Sequence, residues 1–442
     1  MKQEIKLSDH FSYAKILRFT APSIGMMIFS SIYGVVDGFF VSNFVGKTPF
    51  AAVNFIFPFL MILGSVGFMV GTGGSALVSK TMGERDMVKA NRIFSLLIYA
   101  SIIASTVIAV LGIVFMRPIA TALGAEGELL EYCVLYGRII LLAAPGFTMQ
   151  MEFQNFLITA EKPKLGLYVT IASGVTNMVL DAVLVIPFGL VGAALATALS
   201  QYVGGVIPLI YFLRPNDSLL RLGKTSYDGK ALLKTCTNGA SELMSNISMS
   251  LVSMLYNIQL LAYAGEDGIA AYGTMMYVNM IFLAIFIGYS IGTAPVISFH
   301  YGAQNHGELK SLLRKSSVII GIASVAMLGL GYLLARPLSE LYVGYDRTLF
   351  DLTVKGFYVF AWSFLFAGFA IFFSGFFTAL NDGLTSAIIS FMRTLVFQIA
   401  AVMLLPLVWG IDGIWWSIVV AEAMAVVCGG IFLIAKQKKY QY

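Results

Sequence analysis

The chain has 442 residues, of which 58% are hydrophobic and 12% are charged, and its formal net charge is +5. Soluble domains contain about 25% charged residues, so this composition excludes an ordinary soluble fold. The excess positive charge indicates no nucleic-acid partner, because the basic residues are distributed among the segments that separate long apolar stretches.

Twelve apolar stretches follow one another along the chain. About 20 apolar residues are enough to cross the roughly 30 Å hydrocarbon core of a bilayer. The predicted spans are 16–43, 49–80, 93–116, 132–160, 164–187, 190–212, 235–264, 268–300, 314–335, 355–379, 383–407 and 412–435. No removable signal peptide is expected before the first span. We therefore predict an all-α polytopic membrane protein with twelve transmembrane helices.

The lysine and arginine residues predict the orientation of these spans. If both termini are cytoplasmic, most of the 28 basic residues fall in inside segments, as the positive-inside rule requires. The basic residues on the outside are then Lys47, Arg117, Arg336, Arg347 and Lys355. The prediction is a multi-pass protein of a bacterial plasma membrane, with its N- and C-termini in the cytoplasm.

A weak internal repeat divides the chain into two halves. One constant offset pairs Gly46 with Gly265, Gly73 with Gly292, Gly83 with Gly302 and Pro187 with Pro406, and an offset two residues longer pairs Gly189 with Gly410 and Gly192 with Gly413. Two halves of six spans share one orientation, an arrangement that places substrate near mid-membrane between or within them. The predicted parts are an N-lobe (1–213), a cytoplasmic linker (214–234) and a C-lobe (235–442), with the two six-helix lobes related by pseudo-symmetry.

Two aspartates in the first half lie within predicted spans. A charge at mid-bilayer costs roughly 3 to more than 10 kcal/mol, so such residues usually face a cavity or a partner. Asp37 and Asp181 are expected at the same depth, because each lies about six residues from the outer end of its span. Tyr33 and Asn177 precede them by four residues and therefore share their helix faces.

These four side chains, together with Thr197 at a comparable depth, predict a cation or proton site. Oxygen ligands suit Na⁺ at Asp37 and Asp181, and two close carboxylates in a low dielectric favour a protonated form near neutral pH. The alternative is structural, with each aspartate bordering a water-filled cleft or bonding to a helix break at Gly34 or Gly38. The second half has no equivalent acids, because the offset places Val396 and Ala400 opposite Asn177 and Asp181.

The second half contains other charges within spans. Arg393 and Glu422 are both expected near mid-membrane, where they can form an ion pair with a structural or a gating role. Glu242 can bind a cationic substrate or remain hydrated at the interface. Glu152 and Arg138 are expected to be interfacial or internally paired. Among many Met and aromatic residues, Met26 and Met27 are candidates for substrate contact or gating, although packing or lipid contact is the alternative.

No motif indicates catalysis. The sequence contains no Walker loop, no His-Glu-x-x-His and no Ser-His-Asp arrangement, and the Gly71-Thr-Gly73-Gly74 run does not follow a strand. The three cysteines, Cys133, Cys236 and Cys428, lack metal-ligand spacing and an obvious disulfide framework. We therefore expect a protein that is not an enzyme, has no cofactor and has no bound metal other than a possible coupling Na⁺.

The chain resembles the multidrug and toxic compound extrusion (MATE) family over essentially its whole length. The resemblance depends on the twelve spans, Val36-Asp37-Gly38, the Asn177-x-x-x-Asp181 pair and the run 189–197 that ends in Thr197. Arg393, followed by Pro406, is similar to the MepA-like branch of that family. The resemblance implies an outward-facing V of two lobes and drug antiport against H⁺ or Na⁺. It also implies an N-lobe cation site at Tyr33, Asp37, Asn177, Asp181 and Thr197.

The leading hypothesis is a secondary multidrug efflux antiporter, expected to act as a monomer. It would export organic cations or amphipathic, drug-like molecules in exchange for H⁺ or Na⁺, with the choice of ion left open. One alternative is a lipid-linked oligosaccharide flippase of a related two-lobed fold, although the notable buried charges here are mostly acidic. The other alternative is a membrane receptor that does not transport.

Overall fold

The protein is described from a computed structural model over residues 5–442. The helix Pro163–Leu213 is divided at Gly189, and the helix Gly229–Gly302 is divided at Gly265. With these divisions, the membrane helices are α1 Tyr13–Phe44, α2 Lys47–Gly83, α3 Met87–Ala122, α4 Gly127–Leu142 with Ala144–Thr159, α5 163–188, α6 190–213, α7 229–264, α8 266–302, α9 His306–Val343, α10 Arg347–Phe360 with Ala361–Ser363 and Phe364–Ala379, α11 Gly383–Phe391 with Met392–Val396 and Phe397–Trp409, and α12 Ile411–Tyr440. These helices confirm the predicted all-α fold of twelve spans in two lobes, α1–α6 and α7–α12.

Glycines at matching positions in the two halves make the same tight helical hairpin. Gly189 between α5 and α6 and Gly410 between α11 and α12 have φ of +54° and +57°, a conformation that side chains disfavour. Three residues later, a Cβ at Gly192 or Gly413 would lie only 2.0 or 2.4 Å from a carbonyl oxygen of the preceding helix. Both glycines of each pair are therefore needed for the close approach of consecutive helices.

Other turn residues with positive φ repeat at nearly the same offset. They are Gly46 with Gly265, Arg85 with Gln304, and Glu161 with Asn381. The halves therefore share their turn conformations as well as their helix order. This agreement confirms the pseudo-symmetry predicted from the weak sequence repeat.

Both ends of the described chain lie at one face of the helix bundle, which we call the terminal face. Near the N-terminus, the Leu7 backbone N–H donates to Glu161 at 2.6 Å and the Phe11 N–H donates to Glu308 at 2.9 Å. Near the C-terminus, the Tyr440 hydroxyl donates to Asp382 at 2.8 Å. The turns after α4, α8 and α10 therefore lie at the terminal face together with both chain ends.

The two lobes pack closely near the terminal face. A Cβ at Gly83 of α2 would lie 2.0 Å from the Phe299 carbonyl oxygen of α8, and one at Gly302 would lie 2.0 Å from the Lys80 carbonyl oxygen. Farther along α1, a Cβ at Gly34 would meet no heavy atom within 4 Å. The half of α1 that is remote from the terminal face therefore borders open space.

Most helices extend beyond their predicted spans, and three of them also differ from the prediction in other ways. The fourth span, predicted as one helix over 132–160, begins at Gly127 and bends by 51° at Ala143. Pro145 follows this break and has no N–H with which to continue the helical hydrogen bonds. Helix α7 begins at Gly229, within the predicted linker, where Asp228 caps it. Helix α11 contains a π-helical segment, Met392–Val396, that includes Arg393.

A cluster of Asp382, Lys436 and Tyr440 ties the end of α12 to the turn before α11. Lys436 Nζ and the Tyr440 hydroxyl donate to Asp382 Oδ2 at 2.7 and 2.8 Å. Burial opposes the charged form, but the hydrogen bonds from Lys436, Tyr440 and Thr385 outweigh it and lower the pKa of Asp382 to about 2. The ionised carboxylate of Asp382 therefore stabilises the folded state at every pH at which the same group is also ionised in the unfolded chain.

We expect Asp382→Asn to lower the unfolding free energy at pH 7 by about 2 kcal/mol, because charged hydrogen bonds are lost while asparagine still caps α11. The unfolded carboxyl has a pKa near 3.8, so the stabilisation is complete above about pH 4 and disappears as the pH falls towards 2. Thermal unfolding in detergent between pH 3 and 7 measures the difference. The control is Asp412→Asn, whose pair with Lys355 is exposed and should contribute little. Equal destabilisation by the two variants would contradict the prediction.

Candidate functional site

Asp37 of α1 and Asp181 of α5 lie side by side within the N-lobe. Their carboxyl groups lie within electrostatic range of each other, and the Thr197 hydroxyl of α6 lies 3.4 Å from Asp37 Oδ1. Asp181 is fully buried, whereas Asp37 is half-buried. The structure therefore brings together three helices that the sequence had linked only by predicted depth.

A cavity of about 70 Å³ lies beside Asp37. A single water needs about 10–15 Å³ by a comparable measure, so the cavity can hold a small hydrated ion or several waters. Its lining residues are Tyr33, Gly34, Asp37, Phe147, Gln150, Asn177, Thr197, Ser200 and Gln201. Asp181 is fully buried and is not among the lining residues, so the two aspartates differ in access.

Four buried acceptor atoms of the site and its surroundings have no hydrogen-bond donor among the described residues. Both carboxylate oxygens of Asp181, Asn177 Oδ1 and Gln201 Oε1 are buried and accept no hydrogen bond from the described residues. An ionised carboxylate can only accept hydrogen bonds, and burying it unpaired is costly. The arrangement is thus suited to a proton or a cation between the aspartates, and the oxygen atoms present are of the kind that Na⁺ prefers.

A chain of hydrogen bonds fixes the wall of the cavity. Gln150 Nε2 of α4 donates to Ser173 Oγ at 3.2 Å, and Ser173 Oγ donates to the Ser200 carbonyl oxygen at 2.7 Å. Ser200 Oγ in turn donates to the Thr197 carbonyl oxygen at 2.8 Å. These bonds link α4 to α5 and α5 to α6 at the turn of α6 that carries Thr197.

The sequence analysis missed the contribution of α4 to this site. Gln150 and Phe147 line the cavity, and Tyr136 lies within electrostatic range of both aspartates. Gln201, also missed, follows Thr197 by four residues and therefore shares its helix face. A glutamine inside an apolar span was the available signal for both Gln150 and Gln201.

The charged residues of the second half form a separate group within the C-lobe. Arg393 Nε and Nη2 bond Glu422 Oε2 and Oε1 at 2.8 and 3.0 Å, which makes a bidentate ion pair between α11 and α12. Glu242 of α7 lies within electrostatic range of Arg393, but its half-buried carboxyl makes no hydrogen bond or ion pair among the described residues. None of these three residues contacts the aspartate pair.

The methionine candidates do not line the aspartate cavity. Met26 is buried in the core between α1 and α5, where its sulfur would lie 3.0 Å from a Cβ at Gly166. Met27 is half-buried on the next position of α1. Glu152 is internal rather than interfacial, because it is fully buried and accepts a hydrogen bond from Ser101 Oγ at 2.8 Å. Glu152 therefore lies within the N-lobe, in contact with α3.

Comparison with known proteins assigns this architecture to a family. The MatE family model matches residues 22–183 and again residues 243–404, one match in each lobe. The chain belongs to the MatE family. Its members are transporters, so this MatE chain is a multi-pass membrane transporter and not an enzyme.

Individual relatives of this MatE protein cover nearly the whole chain. It is 26% identical over 421 residues to the multidrug export protein MepA of Staphylococcus haemolyticus, which covers 93% of this chain and 91% of that protein. A solved MATE structure in complex with MaL6 has a TM-score of 0.92 at 22% identity and covers 100% of both chains. The outward-facing structure of a multidrug resistance MATE family transporter has a TM-score of 0.91 at 22% identity and covers 100% of this chain and 99% of that chain. At this identity the two structures establish the fold alone.

Proposed function

We propose that this protein is a secondary antiporter that exports organic cations or amphipathic drugs in exchange for H⁺ or Na⁺. The proposal depends on the pair of carboxyl groups at Asp37 and Asp181. Both oxygens of Asp181 lack a hydrogen-bond donor among the described residues, and Asp37 lines a small cavity. Its similarity over nearly its whole length to a protein named for multidrug export supports the substrate class. The ion gradient supplies the energy, and no cofactor takes part.

In the proposed mechanism, the two aspartates bind the coupling ion and change the charge of the N-lobe. Asp37 borders the cavity and exchanges the ion first, whereas Asp181 is fully buried and holds the second carboxylate in a low dielectric. Gain of a proton or of Na⁺ removes net negative charge that would otherwise be buried, so ion binding favours one conformation over the other. The size of this shift is limited by the ratio of the ion's affinities for the two conformations.

The C-lobe group has a different proposed role. Glu242 presents a carboxyl without an ion-pair partner and can receive the positive group of a substrate, whereas the Arg393–Glu422 pair joins α11 to α12. Met26 and Met27 are proposed to act through packing of α1 during the conformational change. The lobes are proposed to comprise residues 1–213 and 235–442, joined by 214–234.

The protein is proposed to act as a monomer in a bacterial plasma membrane, with both termini cytoplasmic. The location of both chain ends at one face supports a common side, and the distribution of lysine and arginine supports the cytoplasmic one. A lipid-linked oligosaccharide flippase is the second candidate. An anionic lipid-linked sugar would meet the aspartate pair and Glu242, which repel it, so the charge of the site favours cationic cargo.

Transport of a fluorescent organic cation in proteoliposomes tests the proposed function. A pH gradient and a Na⁺ gradient are imposed in separate experiments. We expect at least one of them to drive cation flux, because the aspartate pair can bind either ion. The ion that drives flux identifies the coupling ion. Liposomes without protein and liposomes without a gradient are the controls. Flux that responds to neither gradient would contradict antiport, and flux of a lipid-linked sugar instead would favour the flippase.

A further inference from the structure

A groove lies outside the aspartate site, where α6 reaches the terminal face. Its volume is about 750 Å³, and it is formed by the last turns of α6 and the segment that follows them. The lining residues are Ile207, Ile210, Tyr211, Arg214, Pro215, Asn216 and Asp217. Volumes of about 300–1,000 Å³ are typical of small-molecule sites. The groove is therefore large enough for a lipid headgroup and the first part of its chains.

The two ends of the groove differ in polarity. Ile207 and Ile210 lie on one face of α6 with Arg214, because residues three, four and seven positions apart share a helix face. The two isoleucines are 42% and 43% exposed, so they present apolar surface on the membrane side. Arg214 follows the last residue of α6 and is exposed. The groove thus runs from an apolar surface to a guanidinium at the membrane boundary.

The polar end of the groove carries an unbalanced positive charge. The Arg214 guanidinium makes no hydrogen bond or ion pair among the described residues. The carboxylate of Asp217 is already bonded, at 3.1 Å by Lys162 Nζ and at 3.2 Å by the Tyr211 hydroxyl. Arg221 Nη2 donates to the Asn216 carbonyl oxygen at 2.8 Å, which brings a second guanidinium to the same segment. These charges exceed the partial negative charge expected at the end of α6.

We propose that this groove binds an anionic phospholipid, with the phosphate at Arg214 and an acyl chain along Ile207 and Ile210. A guanidinium recognises phosphate oxygens through two parallel hydrogen bonds, and basic pockets beside membrane helices bind anionic headgroups. The bound lipid connects the end of α6 with the segment that leads to the second lobe. This site is separate from the aspartate pair, because none of its lining residues lines the cavity beside Asp37.

Lipid binding to the purified full chain tests the proposal. Phosphatidylglycerol and phosphatidylcholine with identical acyl chains are titrated in detergent micelles, and the bound fraction is measured by native mass spectrometry. We expect a preference for phosphatidylglycerol and a loss of about fivefold in its affinity for Arg214→Gln, since one arginine near a membrane surface contributes about 1 kcal/mol. Arg214→Lys should retain most of the preference. Arg336→Gln, at an exposed arginine near the end of α9, is the matched control and should have no effect.

Two further measurements separate a lipid site from a phosphate site. Ile210→Ser should weaken phosphatidylglycerol binding, and soluble glycerol phosphate should compete poorly, because both lack the apolar contact. Effective competition by glycerol phosphate would overturn the proposal in favour of a phosphate site. Equal affinity for the two lipids, or equal losses in Arg214→Gln and Arg336→Gln, would also overturn it. Thermal unfolding of each variant without added lipid shows that the fold is intact.

Discussion

Asp37→Asn is expected to abolish ion-driven cation export in proteoliposomes, with a loss of about 100-fold or more. An amide cannot take up and release a proton near neutral pH, and it is a weaker ligand for Na⁺ than a carboxylate. Loss of a buried carboxylate that contacts the bound ion costs about 3 kcal/mol of ion-binding free energy, which corresponds to more than 100-fold in an equilibrium constant. Because asparagine has nearly the same shape, the cavity beside Thr197 should persist.

The same substitution should leave the fold as stable as before or make it more stable. Both oxygens of Asp181 are buried without a donor in the described structure, and an amide at position 37 can supply an N–H to one of them. A group that lacks a partner in a buried site costs about 1–3 kcal/mol, and a new hydrogen bond removes part of this cost. Thermal unfolding of Asp37→Asn therefore separates a coupling defect from a folding defect.

Two variants complete this test. Asp181→Asn should also abolish coupling, because the pair acts as one site and the loss of either carboxyl removes it. Asp351→Asn changes an exposed aspartate on α10 and should transport as the wild type does. Coupled export that survives in Asp37→Asn would exclude the aspartate pair as the ion site. Loss in all three variants would indicate a general defect in the reconstituted protein.

The sequence was sufficient for those parts of the site that depend on local geometry. Tyr33 shares a helix face with Asp37, and Asn177 shares one with Asp181, because the members of each pair are four residues apart. Each aspartate was also noticeable in the sequence, because a charged side chain within an apolar span is energetically costly. Thr197 was predicted because α6 runs in the opposite direction to α5, which places Thr197 at a depth comparable to that of the two aspartates. Topology and helical periodicity together therefore predict depth and face, and these were enough to choose the candidate residues.

The difference in access between the aspartates depends on tertiary packing. Periodicity along α1 and α5 does not show that Asp181 is fully buried while Asp37 borders a cavity. The far wall of that cavity comes from α4, whose 51° bend turns Gln150 towards α5. A span predicted as a single straight helix gives no reason to place Gln150 there. Pro145 accounts for a break near this position, but the direction of the side chains beyond the break is set by contacts between helices.

The hairpin turns show the opposite case. Gly189 and Gly410 were paired by the repeat, and both adopt a positive φ that an L side chain resists. Glycine was therefore informative because the backbone conformation itself required it. Arg85 and Gln304 adopt similar φ values without being glycine, and composition alone gave no signal for them. The sequence repeat could therefore be detected at turns that require glycine. It could not be detected at turns whose backbone conformation other residue types can also adopt.

Arg393→Met is expected to lower the unfolding free energy by about 3–5 kcal/mol, because it leaves the buried carboxylate of Glu422 without its cation. Glu422 is 7% exposed in its side chain and accepts two hydrogen bonds from Arg393, so methionine would leave it unpaired. Glu242 also lies in the field of Arg393, and the substitution would remove that favourable interaction. The expected result is a lower thermal midpoint in detergent. Arg336→Met, at an exposed arginine of α9, is the matched control and should be nearly neutral.

Glu422→Gln should be less damaging than Arg393→Met, because Arg393 would still lie near the unpaired carboxyl of Glu242. The double variant Arg393→Met with Glu422→Leu should recover much of the lost stability, since it removes both charges instead of exposing one of them to an apolar surrounding. Transport then separates structure from gating. A stable double variant that still exports cations would make the pair structural, whereas a stable one that does not would assign the pair to the transport cycle. An Arg393→Met protein that unfolds like the wild type would show that the ion pair contributes nothing to the fold.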